Sequence, residues 1–343
     1  MLPRTIEAAT RDLAAQKPAV RAEAARDLAR HHEGARERVL AGLTQALDDE
    51  AAEVRAAAAT ALADIEGVEA LARLLVAVDD DNVMVRQMAI TALGEIGDAR
   101  ATERLRRALS DAQAEVRFQA AIAYPRVCAS REAALEALIT ATRDDDPLVS
   151  HIALRMAEEI GTEEGDGSVD PRVLTRARAL LGHDAPVVRV AAAILMAPRG
   201  DARAKEILVK VAARSLKTTD REDEAAAIEL VGELGLEAAR AGLERRAFGR
   251  WLGLLRDELA WHARVALARM GHERASREIL RELAAADRDV RTLAVAAAGR
   301  ARLRAARGPI DAMRGHEGRA DPGAVDEALA RIAEADERTG ATA

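Results

Sequence analysis

Aromatic side chains are scarce: the 343 residues include two Trp, one Tyr and two Phe. Strand-forming residues are too sparse to build a sheet, and alanine dominates the apolar fraction. Small side chains let helices approach closely, so the chain reads as all-α. Cys128 is the only cysteine, which excludes an intramolecular disulfide. No apolar run approaches the length needed to span a bilayer. The opening stretch MLPRTIEAATRDLAAQ lacks the apolar core of a signal peptide. A cytoplasmic location is therefore the default expectation. Lysine is scarce beside arginine, which suggests a GC-rich bacterial genome. Glycine-rich phosphate loops are absent, and no Ser-His-Asp or Cys-His arrangement emerges. The expectation is a chain that is not an enzyme and holds no cofactor or metal.

Repetition is abundant. The stretch Asp80 to Gly97, DDNVMVRQMAITALGEIG, recurs about nine times in better or worse form. Its Val-Arg anchor returns at Val20, Val54, Val85, Val116, Val188 and Val290, and Val149 keeps the valine. Degenerate copies place Asp223 and Leu259 at that position. Successive anchors lie 31 to 39 residues apart, a period that signals stacked helix pairs. Leu71, Leu74, Leu75 and Val78 share one helical face, and Val85, Ala89, Ala92, Leu93 and Ile96 share another. An acidic turn joins them, and Gly97 supplies the stop. One such pair cannot bury its apolar face alone, so neighbours must complete the core.

Asp49, Asp80, Asp111 and Asp144 each stand five residues before the anchor valine. The pattern D-x-x-x-x-V-R-x-x-A-x-x-A-L-G-x-I-G resembles the short bacterial HEAT repeats, over roughly residues 4 to 303. The resemblance implies a right-handed α-solenoid of about nine repeats. It also implies that the turn aspartates and Arg55, Arg86, Arg117, Arg189 and Arg291 form a structural ladder between repeats. Residues 162–170 are expected to be an acidic loop insertion, 304–336 capping helices, and 337–343 a disordered tail. Asp321-Pro322 is expected to start the last helix. Pro125 should kink its helix or end it early. Cys128, in the place of Gly97, reads as a small packing residue. The segment 236–258 reads as one long helical stretch carrying Gly242, Gly249 and Gly253.

Net charge is −7, yet residues 236–319 hold 18 Arg against 11 acidic residues, a local balance of +7. That asymmetry, with Trp251, Trp261 and Arg245, Arg246, Arg250, Arg256 and Arg264, resembles the basic face of HEAT-like alkylpurine DNA glycosylases. Nucleic-acid binding through this stretch is the alternative function. Resemblance to phycobilin lyases and deoxyhypusine hydroxylases raises a lyase, a cofactor chaperone or a metal enzyme. The three His-Glu pairs, at 32–33, 272–273 and 316–317, lie at helix ends and lack the symmetric spacing of the hydroxylase dyads.

By the resemblance, the second helix of each pair lines the concave surface. Positions two and six past the anchor lie about 200° from the core position at 89, on either side. Most of these residues are small or polar. Phe118, Ile122, Val190 and Ile194 are apolar and bracket His151 and Arg155, while Trp261 and Val265 form a second apolar spot. Clustered apolar exposure marks interaction surfaces, so these eight residues are expected to bind a protein or peptide partner. The competing expectation is that adjacent second helices press together and bury them as core.

Overall fold

The computed structural model describes residues 4–163, 167–249, 257–316 and 318–340, the last six in backbone only. The chain divides into two compact units, residues 1–176 and 177–343. The first unit contains α1 (Ile6–Asp12), α2 (Pro18–Ala29), α3 (His32–Ala46), α4 (Ala52–Asp64), α5 (Leu71–Ala77), α6 (Val83–Ile96), α7 (Thr102–Ala108), α8 (Ala114–Val127), α9 (Arg131–Ala141) and α10 (Pro147–Gly161). The division falls within α11 (Pro171–Leu180). The second unit continues with α12 (Pro186–Met196), α13 (Ala202–Ala212), α14 (Arg221–Glu233), α15 (Arg240–Phe248), α16 (Ala260–Arg269), α17 (Glu273–Glu282), α18 (Arg288–Arg300), α19 (Arg307–Asp311) and α20 (Pro322–Gly340). Among the described residues there is no strand, only one isolated bridge between Thr162 and Val169.

Local chemistry starts and stops these helices. The Asn82 side chain accepts hydrogen bonds from the Met84 and Val85 N–H groups, and Asp146 does the same for Leu148 and Val149. Gly97 ends α6 in the left-handed region at φ +69°. Cys128 holds the same place after α8 but is extended, at φ −81° and ψ 114°. Pro125 neither shortens α8 nor ends it: the helix runs two residues further and matches the 14 residues of α6. A proline in the last turn removes one bond where the helix is about to stop anyway, which keeps its cost low. The stretch 236–258 is not one helix, because α15 stops at Phe248 and Gly249 is extended at ψ 149°. Residues 250–256, with Trp251, Arg250, Gly253 and Arg256, lie outside the described residues.

The cores follow the repeat. Val54, Val85, Val116, Val149 and Val188 are buried, and so are Leu71, Leu74, Val78, Ala89, Ala92 and Leu93. Val290 departs from this and lies partly open, beside the exposed Leu293. Consecutive second helices touch through small residues. A Cβ placed on Gly94 in α6 would come within 2.7 Å of Ala123 Cβ in α8. In the second unit Gly232 meets Ala266, and Gly299 meets Ala328, in the same manner. Gly94, Gly232 and Gly299 each stand nine residues past an anchor, and Ala123 and Ala266 stand seven past theirs. By this register Ala328 belongs to an anchor at Asp321, 31 residues beyond Val290. The C-terminal helices α19 and α20 are therefore a tenth pair in phase with the rest. Asp321 caps α20 by accepting from the Ala324 N–H. The helix extends to Gly340, into the stretch expected to be a tail, and residues 341–343 lie outside the described residues.

A ladder of arginines and aspartates joins the pairs of the first unit. Arg21 donates to both oxygens of Asp49 at 2.7 Å, Arg55 to Asp80 at 2.8 Å, and Arg86 to Asp111 at 3.0 Å. Arg117 donates to Asp144 at 2.6 and 2.8 Å. The Nη1 of each arginine also donates to carbonyls five and six residues earlier, as Arg55 does to Asp49 and Glu50. Bidentate pairing of this kind fixes geometry as well as adding energy. Burial raises the Asp80 carboxyl, but Arg55 and the Asn82 N–H outweigh it and hold the group below its ordinary range. In the second unit Arg189 and Arg291 keep the carbonyl contacts without an aspartate: Arg291 donates instead to the carbonyls of Arg319 and Gly318.

Candidate partner-binding face

In the first unit α2, α4, α6, α8 and α10 lie side by side, each touching the next. Positions two and six past each anchor fall on the face these helices share. Ala22 and Ala56 are buried there, and Thr60 and Thr91 turn their hydroxyls back onto carbonyls of their own helices at 3.0 Å. On α8 the pair is Phe118 and Ile122, and both are half-buried. On the adjacent α10 His151 is buried at 7% exposure. The Arg155 side chain is 41% exposed, with a 3.5 Å contact to Glu158. The first unit thus brings Phe118, Ile122, His151 and Arg155 onto neighbouring helices, with the apolar pair and the guanidinium accessible.

The second unit differs. Val190 and Ile194 sit on α12, whose residues from 190 to 196 are all buried. A helix apolar on nearly every side packs as core, and PVVRVAAAILM, with Arg189 its one charged residue, is such a helix. Val265 is buried at 3%, beside the close Gly232–Ala266 contact. Val190 and Ile194 therefore do not offer contact surface, contrary to the expectation, because α13 and α14 pack against a helix that is small or apolar at nearly every position. Val265 is also almost wholly buried, and only its edge reaches the cleft described next. Trp261 remains half-buried, its ring centroid 5.7 Å from the Arg264 guanidinium carbon.

The sequence reasoning missed the charged part of this face. A cleft of about 300 Å³ opens where α14, α16, α18 and α20 meet, lined by Glu229, Glu233, Arg269, Arg300, Arg331 and their neighbours. Arg300 pairs with Glu229 at 2.6 Å, and Arg269 with Glu233 at 2.9 Å while also donating to the Arg300 carbonyl at 3.2 Å. The His262 Nε2 lies 3.8 Å from Glu229. Burial lowers the His262 pKa, Glu229 partly opposes this, and Arg300 adds to the lowering. Further along, Arg246 is buried between Asp257 at 3.0 Å and Glu224 at 2.7 Å. Glu224 occupies the anchor-arginine position of its repeat, so an acidic residue stands there and takes a basic partner from outside the ladder position.

Other candidates have structural employment. His272 caps α17 by accepting from the Ala275 N–H, and its other nitrogen lies 3.3 Å from Glu244. His32 contacts the Ala29 carbonyl at 3.0 Å, and Glu317 lies outside the described residues. Among the described residues no cluster of His, Cys, Asp or Glu could hold a metal ion. Cys128 lies 3.5 Å from the Tyr124 hydroxyl, whose pKa is pushed up to about 12 by burial and then by that cysteine. Arg131 donates to the carbonyls of Ile160 and Thr162 and pairs with Glu163, tying down one end of the acidic loop. Residues 164–166 lie outside the described residues. No described helix is long and apolar enough to cross a membrane.

The sequence model of the HEAT repeats matches residues 6–83, 40–125 and 71–157. No curated protein matches the chain. Among solved structures, an engineered protein is 18% identical, covering 95% of this chain and 98% of its own, with a TM-score of 0.39. A designed armadillo repeat protein in complex with the peptide (KR)4 is 20% identical, over 60% of this chain and 99% of its own, with a TM-score of 0.40. The complex of CpcE and CpcF of phycocyanin lyase from Nostoc is 18% identical, over 81% and 94%, with a TM-score of 0.35.

Proposed function

We propose that this chain, a HEAT-repeat protein, is a non-catalytic scaffold that binds a protein or peptide partner on the face formed by its second helices. The observation that carries this reading is the state of α8. Phe118 and Ile122 stay partly exposed at positions where Ala22, Ala56, Val190 and Val265 are buried. Aromatic and arginine side chains dominate binding hot spots, and Arg155 lies on the next helix. The aspartate–arginine ladder holds those helices in place before a partner arrives, which lowers the ordering cost of binding. Trp261 and Arg264 offer a comparable pairing in the second unit.

The test is capture of partners from native cell extract by wild type, beside Phe118→Asp and Trp261→Asp, each first shown to keep its helical content. Loss of a specific protein from Phe118→Asp supports the face. Retention of the same proteins by both variants overturns the placement. A second reading, nucleic-acid binding, draws on the +7 balance of residues 236–319. It expects copurifying nucleic acid that is released steeply with salt.

A further inference from the structure

Helical phase gives each second helix of the first unit a buried side and a narrow open stripe. At about 100° per residue, the position before the anchor and those three, six and ten past it fall within about 60° of one another. None of these positions is buried on α6, α8 or α10. The stripe carries Met84 and Met88 on α6, and Leu148 and Ile152 on α10. Met84 is 54% exposed and Leu148 51%. Between them α8, which touches both helices, adds Ile122, with Phe118 on its flank. Exposed apolar side chains gathered on one face mark an interaction site, and methionine adapts its shape to a partner. The same stripe is acidic. Glu53, Asp64, Glu115 and Glu159 stand on it, exposed and without an ion pair among the described residues. Its cations on α8 and α10 are matched, since Arg126 pairs with Glu95 and Arg155 lies 3.5 Å from Glu158. Glu115 holds the same position on α8 that Met84 holds on α6 and Leu148 on α10, so a carboxylate stands between two open apolar side chains.

We infer that this stripe docks a basic protein segment in which lysines or arginines are interspersed with large apolar side chains. The inference rests on the scaffold reading and names its partner class. Charge complementarity sets the sign of the partner. Four carboxylates without a cation border and interrupt the apolar side chains, so a positive segment meets them without displacing an existing ion pair. A wholly apolar segment would cover Glu115 and leave its charge buried and unpaired, which is costly. A cation must therefore stand between the groups that contact Met84 and Leu148. A nucleic-acid strand or an anionic membrane would bring like charge against the same carboxylates.

The experiment is fluorescence anisotropy on the full chain with three labelled probes: KLLKKLLKKLLK, the charge-reversed ELLEELLEELLE, and KSSKKSSKKSSK, which keeps the charge without the apolar groups. The first is expected to bind saturably, and each of the others at least about tenfold more weakly. Met84→Ser with Leu148→Ser should raise the Kd of the first probe at least about tenfold. Glu53→Gln with Glu115→Gln should raise it at least about threefold at low salt, and less at high salt. All four side chains are exposed, and circular dichroism checks that the variants fold. Val76→Ser removes an apolar side chain that is 65% exposed on the first helix α5, and it should leave the Kd unchanged. No saturable binding of KLLKKLLKKLLK, equal binding of either control probe, an unchanged Kd in both folded double variants, or an equal loss in Val76→Ser each overturns the inference. Sedimentation of wild type as a dimer that Met84→Ser with Leu148→Ser dissolves would assign the stripe to a second copy of the chain and overturn it too. A wild type that ignores every peptide yet captures protein partners in a Phe118-dependent way overturns the basic partner and leaves the scaffold standing.

Discussion

Replacing Gly94, Gly232 or Gly299 by alanine sets two effects of opposite sign against each other. Alanine is favoured over glycine inside a helix by about 1 kcal/mol, so without tertiary contact all three variants would gain stability. The structure predicts loss instead. At Gly232 the new Cβ would stand 2.5 Å from Ala266 Cα, 2.8 Å from its Cβ and 2.9 Å from its carbonyl oxygen. Carbon atoms are in optimal contact at about 3.5–4.0 Å, so α14 and α16 must separate by about 1 Å. Two of those three atoms are backbone, which no rotamer change can move aside. Overpacking of this kind costs about 1–3 kcal/mol. After the propensity gain, a net loss of up to about 2 kcal/mol is expected for Gly232→Ala, the tightest of the three, equivalent to a few degrees in Tm. Gly299→Ala, at 2.6 and 2.7 Å from Ala328, should lose slightly less. Gly94→Ala should lose least, because Ala123 Cα is 3.1 Å away. Thermal and urea denaturation followed by circular dichroism read the order, and hydrogen exchange localises it to the paired helices. A uniform rise in midpoint across the three variants would refute the close helix contact.

Asp80→Asn keeps the cap on Asn82 but removes the charge facing Arg55, and a loss of about 2 kcal/mol is expected for this partly buried, charge-assisted pair. The ladder carboxyls Asp49, Asp80 and Asp144 are lowered: burial raises each, and the arginine and a backbone N–H overcome it. Groups depressed in the folded state contribute stability above their unfolded value, near pH 4, and lose it as pH falls through the folded value. Tm should therefore drop progressively below about pH 5, and less steeply in the Asp49→Asn, Asp80→Asn and Asp144→Asn triple variant. His262, lowered chiefly by burial, should titrate below 6.5 by NMR, and a midpoint at or above 6.5 would contradict its burial. Phe118→Ala should cost less than the roughly 3–5 kcal/mol of a fully buried phenylalanine, because the residue is only partly buried. A loss of that full size would place Phe118 in the core.

The repeat and the helix pairs were legible because each is written several times in the chain. The ladder was legible through the resemblance to HEAT repeats, which implied it for Arg55, Arg86 and Arg117 and also for Arg189 and Arg291, where no aspartate partner stands among the described residues. The face residues were less legible because helical phase says which way a side chain points, and not what stands opposite it. Val190 and Ile194 illustrate this: they point as expected, into space that neighbouring elements fill. The run PVVRVAAAILM, apolar at every position but Arg189, was the available sign of that burial. The two C-terminal helices were expected as a cap, with Asp321-Pro322 at the start of the last, but their phase with the repeats was hidden because Asp321-Pro322 replaces Val-Arg at that anchor. Recurrence of arginine at 269, 300 and 331 was the signal that could have revealed it.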